Sequence, residues 1–329
     1  MTNSPIAETQ GTNIKTGTIG KIYGFEYLRA ICCLSIVFLH TNVMSLLFDY
    51  RVVYNIMIYN MFYLIVPIFF QLALILFFLK REKQENYLTK RIPKLLQLYF
   101  FWGLISHLFY LLYHREEYLI YLRKLNISEF LFFIIRDGYG NPFYFFFSLL
   151  LMTLLSEVLV IIVNKLDKFK INYQIISYTG LILSCGLILF LPLSALWFGN
   201  DFNFLSETEN PLNFIPYIFS SFIISKSISN TQAKDEKTSF YVPFFTTLAL
   251  FLICNSLEWL YLSHTLPWQS GRIDTLPMYT RISLVFGAWW ITLLALKIKS
   301  EANWIWKSLS NLSLGVYCLH TFTYITLFY

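Results

Sequence analysis

From Phe25 to the carboxyl end the chain repeats one pattern, an apolar run followed by a short polar or basic stretch. Nine such runs stand out, at roughly 25–48, 55–79, 92–113, 142–164, 173–196, 211–225, 239–262, 276–296 and 308–329. Most reach the length of about twenty residues that a helix needs to cross a bilayer, and none has the ten-residue alternating pattern of barrel strands. The pattern therefore predicts an all-α fold, a polytopic integral membrane helix bundle of 9–10 transmembrane helices. The sixth run is short. The second and third contain Pro67 and Pro93, which membrane helices accept when neighbours satisfy the freed carbonyls. The stretch HREEYLIYLRKLNISEFLFFIIRDGYGN, 114–141, alternates charged and aromatic residues, and its apolar part, ISEFLFFIIR, is too short to cross. It is expected to lie as an amphipathic piece at the interface. If it dips through instead, the count becomes ten and the later topology inverts.

Residues 1–20 are polar and begin too far from the first apolar run to make a compact signal peptide, so they read as a flexible cytosolic tail ahead of one membrane domain, 21–329. Composition agrees with the bilayer as solvent: 57% of the 329 residues are hydrophobic and 13% charged, against about 25% charged in a soluble domain. The mean hydropathy is +0.56. The net charge of +6 lies largely between runs, where it orients the chain; it does not point to nucleic acid. Lys15 and Lys21, the cluster Lys80 to Lys94, Lys165 to Lys170, Lys226 to Lys237, and Lys297 to Lys307 all fall on one side of the membrane, while Asp49, Asp137, Asp201, Glu207, Glu209 and Asp274 fall on the other. The positive-inside rule then puts the amino terminus in the cytosol, and the implied setting is an inner, cytoplasmic membrane. The five cysteines sit within apolar runs as small hydrophobes, with no disulfide or metal-ligand spacing.

Beyond Glu26, two side chains in the first run are out of place in hydrocarbon: Arg29 and His40. Eleven residues is about three helical turns, so both project from one face, roughly 16 Å apart along the axis. Arg29 also has a plain reading as a snorkelling side chain near a helix end. An imidazole deep in the membrane is a functional candidate, the alternative being an interhelical hydrogen bond.

In this setting the chain resembles the membrane-bound acyltransferase-3 family of polytopic O-acyltransferases. The first span in YLRAICCLSIVFLHTN carries the family's arginine, ten residues and a histidine. VPIFFQLALILFFLKR is similar to its second span, with Ala73 and Leu74 where many members have Ser-Gly; TKRIPKLLQLYFFW resembles the basic start of its third, with Arg91 and Lys94 and a proline at 93. NLSLGVYCLHTFTY, with Ser313, Tyr317 and His320 in order, resembles its closing span, and GNPFYFFFSLLL a span that begins with an aromatic block. The likeness covers almost the whole chain and is weakest between about 170 and 300.

The resemblance implies an O-acyltransferase that moves an acyl group, most simply acetyl, from acyl-CoA (acetyl-CoA) to a hydroxyl of a saccharide in a surface glycan. Arg29, Lys90, Arg91 and Lys94 are then the expected phosphate ligands, through charge-assisted hydrogen bonds. His40 is the expected acid/base, with an acyl-histidine as a variant. Glu157, inside the fourth span, either orients His40 or merely reaches the interface; His320 is either a second acid/base or a packing residue. His107 reads as a packing histidine, His114 and His264 as loop residues, Gln71 and Gln97 as interhelical hydrogen bonders. Tyr99, Trp102, Trp197, Trp259 and Trp268 read as interfacial aromatics. Besides acyl-CoA, a glycan and the lipid bilayer, a homo-oligomer is compatible with the chain, and no permanently bound cofactor is expected. The rival readings are a carrier that exports a glycan, and a sensor or scaffold.

Overall fold

The computed structural model describes residues 21–40, 58, 60–136, 143–198, 209–234, 241–265 and 278–328. The tail 1–20 and the end of the first run, 41–48, lie outside them, as do Asp49, Asp137, Asp201, Glu207 and Asp274. Helices follow one another: α1 Tyr23–His40, α2 Ile65–Lys83, α3 Tyr87–Tyr113, α4 Arg115–Lys124, α5 Ile127–Arg136, α6 Tyr144–Asp167, α7 Tyr173–Phe198, α8 Ile215–Lys234, α9 Tyr241–Thr265, α10 Ile282–Leu296 and α11 Trp304–Phe328. Among the described residues there is no strand, and every apolar run has become a helix of fifteen residues or more. Six of them are long and apolar enough to cross a membrane: α1, α2, α3, α6, α7 and α9. The protein is a multi-pass membrane helix bundle.

Two elements depart from the apolar pattern. The sixth run, expected over 211–225, starts as a 3-10 turn at Pro211–Phe214 and continues as α8 to Lys234. Its serines do not stop it, because Ser220 and Ser225 donate to the carbonyls of Tyr217 and Phe222 one turn back. The stretch after α3 folds into two ten-residue helices, α4 and α5, each about 15 Å long and too short to cross. Asn126 and Glu129 form a capping box at the start of α5: the Glu129 N–H donates to Asn126 Oδ1 (2.8 Å) and the Asn126 N–H to Glu129 Oε2 (3.2 Å). The pair packs back along α3, where the Tyr118 hydroxyl hydrogen-bonds His107 Nδ1 at 2.7 Å, the Phe133 ring stacks on His107, and the Tyr99 hydroxyl donates to the Ile134 carbonyl at 2.6 Å. His107 is thus a packing histidine, and Tyr99 holds down the end of α5. Ile127, Phe130 and Leu131 stay exposed on the outer side of α5.

Side-chain contacts show that the helix ends alternate. Lys226 and Ser229 at the end of α8 bond Glu82 at the end of α2, and Asn230 donates to the hydroxyl of Tyr173 at the start of α7. Lys297, just past α10, lies over the ring of Tyr241 at the start of α9. The Tyr27 hydroxyl of α1 donates to the Glu301 carbonyl, and its ring meets Trp306 of α11. All these groups share one face, hereafter the basic face. The Lys307 ammonium there donates to Glu301 (2.6 Å) and holds that carboxyl below its ordinary range.

Within the bundle, fully buried Gln71 joins three helices. Its Nε2 donates to Ser220 Oγ, its Oε1 accepts from Thr292, and its carbonyl accepts from Ser221, which links α2 to α8 and α10. Gln97, expected in the same role, is exposed. Close to the basic face α1 presses on the end of α10 at Gly24, where a Cβ would collide with the backbone carbonyl of Ala295. Gly24→Val should therefore separate the two helices and cost about 1–3 kcal/mol, read as a lower thermal-unfolding midpoint of the detergent-solubilised protein.

Candidate active site

Helices α1, α2, α3, α6 and α11 enclose a cavity of about 370 Å³. Arg29 comes to it from α1, Lys80 from the last turn of α2 and Arg91 from the second turn of α3, so the basic-face end carries three cations. No carboxylate lines it among the described residues. Lys80 places its ammonium 5.6 Å from the centroid of the Tyr87 ring, also in the wall. Arg91 Nε is buried and has no hydrogen-bond partner. A guanidinium N–H held out of water with nothing to donate to is costly, and an anion is the partner that relieves it. Below the cations the wall turns apolar: α2 contributes the stripe Phe69, Leu72, Ala73, Leu76 and Lys80, whose spacing of three to four residues is one helical face. Ser310, Asn311 and Ser313 of α11 give the wall a polar strip, on which the Ser313 hydroxyl donates to the Ser310 carbonyl.

The inner end of the cavity is lined by aromatic rings. Tyr317, 4% exposed, lines it and lies 5.4 Å from Phe145 and 6.4 Å from Phe146, ring centre to ring centre. One turn further along α11 stands His320, whose ring is 5.7 Å from that of Tyr317 and 4.8 Å from that of His40. α1 and α11 run side by side in the same direction. They meet at Tyr27 with Trp306 near the basic face, and again at His40 with His320, 13 residues (40 − 27) and 14 residues (320 − 306) later, about 20 Å along the axis. His320 Nδ1 lies 3.3 Å from the Val316 carbonyl, which can only accept. In that bond Nδ1 is the donor.

The sequence-derived candidates divide accordingly. Arg29 and Arg91 face the cavity, and His40 and His320 form one pair, beyond Tyr317 rather than in the cavity wall. Among the described residues that line the cavity, Tyr317 is the one nearest the pair along α11. Lys90 and Lys94 are exposed and do not line the cavity. Lys90 is turned about 100° from Arg91, and Lys94 falls to one side of the face that Arg91, Leu95 and Leu98 present to the cavity. Lys80, which charge patterning assigned to a loop, takes their place. The apolar stripe it terminates is the signal that finds it.

Glu157 reaches the basic-face end of the bundle, not the histidines. Arg81 grips it with both nitrogens, Nε at 2.9 and 2.8 Å from the two carboxylate oxygens and Nη2 at 2.8 Å from Oε1. Of the two readings open to it, interface and histidine partner, the geometry takes the first. A second buried ion pair was not legible at all. Arg281, 3% exposed, donates to Glu258, Asn60, Asn255 and Ser283, while Glu258 accepts from the Ser283 N–H at the start of α10. Trp259, expected in an interfacial belt, donates to Asn60 in the same network. It fastens α9 to α10, and its members lie up to 223 residues apart in the chain (283 − 60), too far for any local pattern to join them.

Residues 22–329 match a family model, that of the acyltransferase-3 family, described as an acyltransferase domain. No curated protein and no solved structure matches the chain.

The forked Arg81–Glu157 pair is mostly buried, at 15% and 12% side-chain exposure. Glu157→Gln should lower stability by about 3 kcal/mol by stranding Arg81, whereas replacing both partners, Arg81→Met with Glu157→Leu, should recover most of it. Thermal unfolding of the three variants in detergent checks this.

Proposed function

The chain belongs to the acyltransferase-3 family, and from that premise we propose that it transfers an acetyl group from acetyl-CoA to a hydroxyl of a saccharide in exopolysaccharide, capsule or lipopolysaccharide. The observation that carries the reading is the cavity itself, in which a buried Arg91 Nε–H lacking an acceptor stands beside Arg29 and Lys80, at the mouth of an apolar passage that leads toward two adjoining imidazoles. The basic face is the cytosolic one in this reading, by the positive-inside rule, with the amino terminus inside and the protein in the cytoplasmic membrane.

The phosphates of the donor bind Arg29, Arg91 and Lys80, and its pantetheine arm follows Leu76, Ala73 and Leu72 inward. His40 and His320 act together. An imidazole nitrogen takes the proton of the acceptor hydroxyl as its oxygen bonds to the acyl carbon. The C–S bond breaks, and the departing thiolate takes up the proton, giving the ester and the free thiol of coenzyme A. With their ring centres 4.8 Å apart, one imidazole can hold the proton while the other orients it.

His40→Ala is expected to lower transfer of labelled acetyl from acetyl-CoA in membranes by at least about a hundredfold at unchanged abundance. If no label moves in the unaltered protein while glycan export depends on it, the carrier reading replaces this one. Arg91→Ala should raise the donor KM about tenfold with a smaller change in kcat, because a phosphate clamp contributes mostly uniform binding. A donor dependence identical to that of the unaltered protein removes Arg91 from the site.

A further inference from the structure

We propose that the Tyr317 side chain is a septum between the donor cavity and the histidine pair, and that it keeps water away from the bound thioester until an acceptor is in place. The proposal rests on the acyl-transfer reading above. The Tyr317 ring lines the inner end of the cavity beside Phe145 and Phe146 and lies 5.7 Å from the ring of His320, which lies 4.8 Å from that of His40. The residue is 4% exposed, and neither histidine is among the residues that line the cavity. A donor enters from the basic face, and the histidines stand about 20 Å further along α1 and α11. A passage open along that whole length would admit water to a reactive thioester and give protons a route across the membrane. A rigid aromatic side chain with two torsions closes it at small entropic cost and swings aside about its χ1.

The reaction that the septum suppresses is hydrolysis. The oxygen of a water molecule bonds to the acyl carbon, the C–S bond breaks, one proton goes to the thiolate, and the products are the free carboxylic acid and coenzyme A thiol. Tyr317→Phe keeps the ring, whereas Tyr317→Ala removes it. Leu312, on the exposed side of α11 and outside the cavity, supplies a control substitution in the same helix.

The test uses the full chain in lipid nanodiscs with labelled acetyl-CoA, with and without glycan acceptor, and reads free acetate, acetylated glycan and the unfolding midpoint of each variant. Tyr317→Ala is expected to release acetate without acceptor about tenfold faster than the unaltered protein and to lose coupling between acetyl-CoA consumed and ester formed. Leu312→Ala is expected to stay within about twofold on both counts, and Tyr317→Phe, which keeps the ring, to hold the ratio of acetate to ester within about twofold. A destabilised bundle lowers both products together and leaves their ratio unchanged, so a constant ratio overturns the septum. Where Tyr317→Ala does not accumulate, Tyr317→Val is read by the same ratio. A protein that forms ester normally while Tyr317→Ala releases no extra acetate also overturns the septum and leaves the acyl-transfer reading intact. An unaltered protein that neither binds nor consumes acetyl-CoA overturns both.

Discussion

Two guanidinium groups turned toward one cavity inside a helix bundle repel each other, and among the described residues no carboxylate lines the wall; Glu26, the carboxylate near Arg29, is paired with Lys21. The interior screens charge far less than water does, so Arg29, Arg91 and the neighbouring Lys80 form an arrangement that is uncomfortable until an anion joins it. The other buried arginines show the contrast. Arg81 is neutralised by Glu157 and Arg281 by Glu258, each through hydrogen bonds of ordinary length, and both serve to fasten helices. Charge that is matched within the fold supports the fold. The charge at the cavity mouth, without a carboxylate in the wall among the described residues, is what singles out this gap between five helices as the candidate site.

That charge can be sustained only because the helices carrying it are held by something else. α1 meets the end of α10 at Gly24, where the absence of a side chain allows backbone contact, and runs beside α11 through rings at both ends, Tyr27 with Trp306 and His40 with His320. α2 is tied to α8 and α10 by Gln71, whose polar groups have partners of a kind that lipid cannot supply. The first and last helices thereby become one rail, with cations near its basic-face end and imidazoles toward the other. A chemistry that needs a phosphate ligand and a proton acceptor well separated is served by two parallel helices better than by any loop, because helical rise sets the distance.

What was legible in the sequence follows from the short range of its signals. Runs of apolar residues, proline positions, the basic and acidic stretches between runs and the eleven-residue spacing of Arg29 and His40 are properties of neighbours in the chain, and a bilayer turns them directly into helices and faces. The short length of ISEFLFFIIR pointed to an interfacial piece, and the two ten-residue helices that form there are too short to cross. Pairings between distant segments were beyond reach. Glu157 lies at 3.6-residue spacing in an apolar helix whichever partner it takes, and only the relative height of α2 and α6 gives it to Arg81. Lys90 and Lys94 carry the same charge as Arg91, but rotation about α3 decides which of the three looks inward. The meeting of His40 with His320, and the ring of Tyr317 across the path to them, depend on the parallel packing of two helices some 280 residues apart (320 − 40), which the sequence leaves open because many pairings bury apolar faces equally well in lipid. Local composition determined that this protein lives in a membrane and where its unusual side chains sit along each helix; packing alone decided which of them face one another.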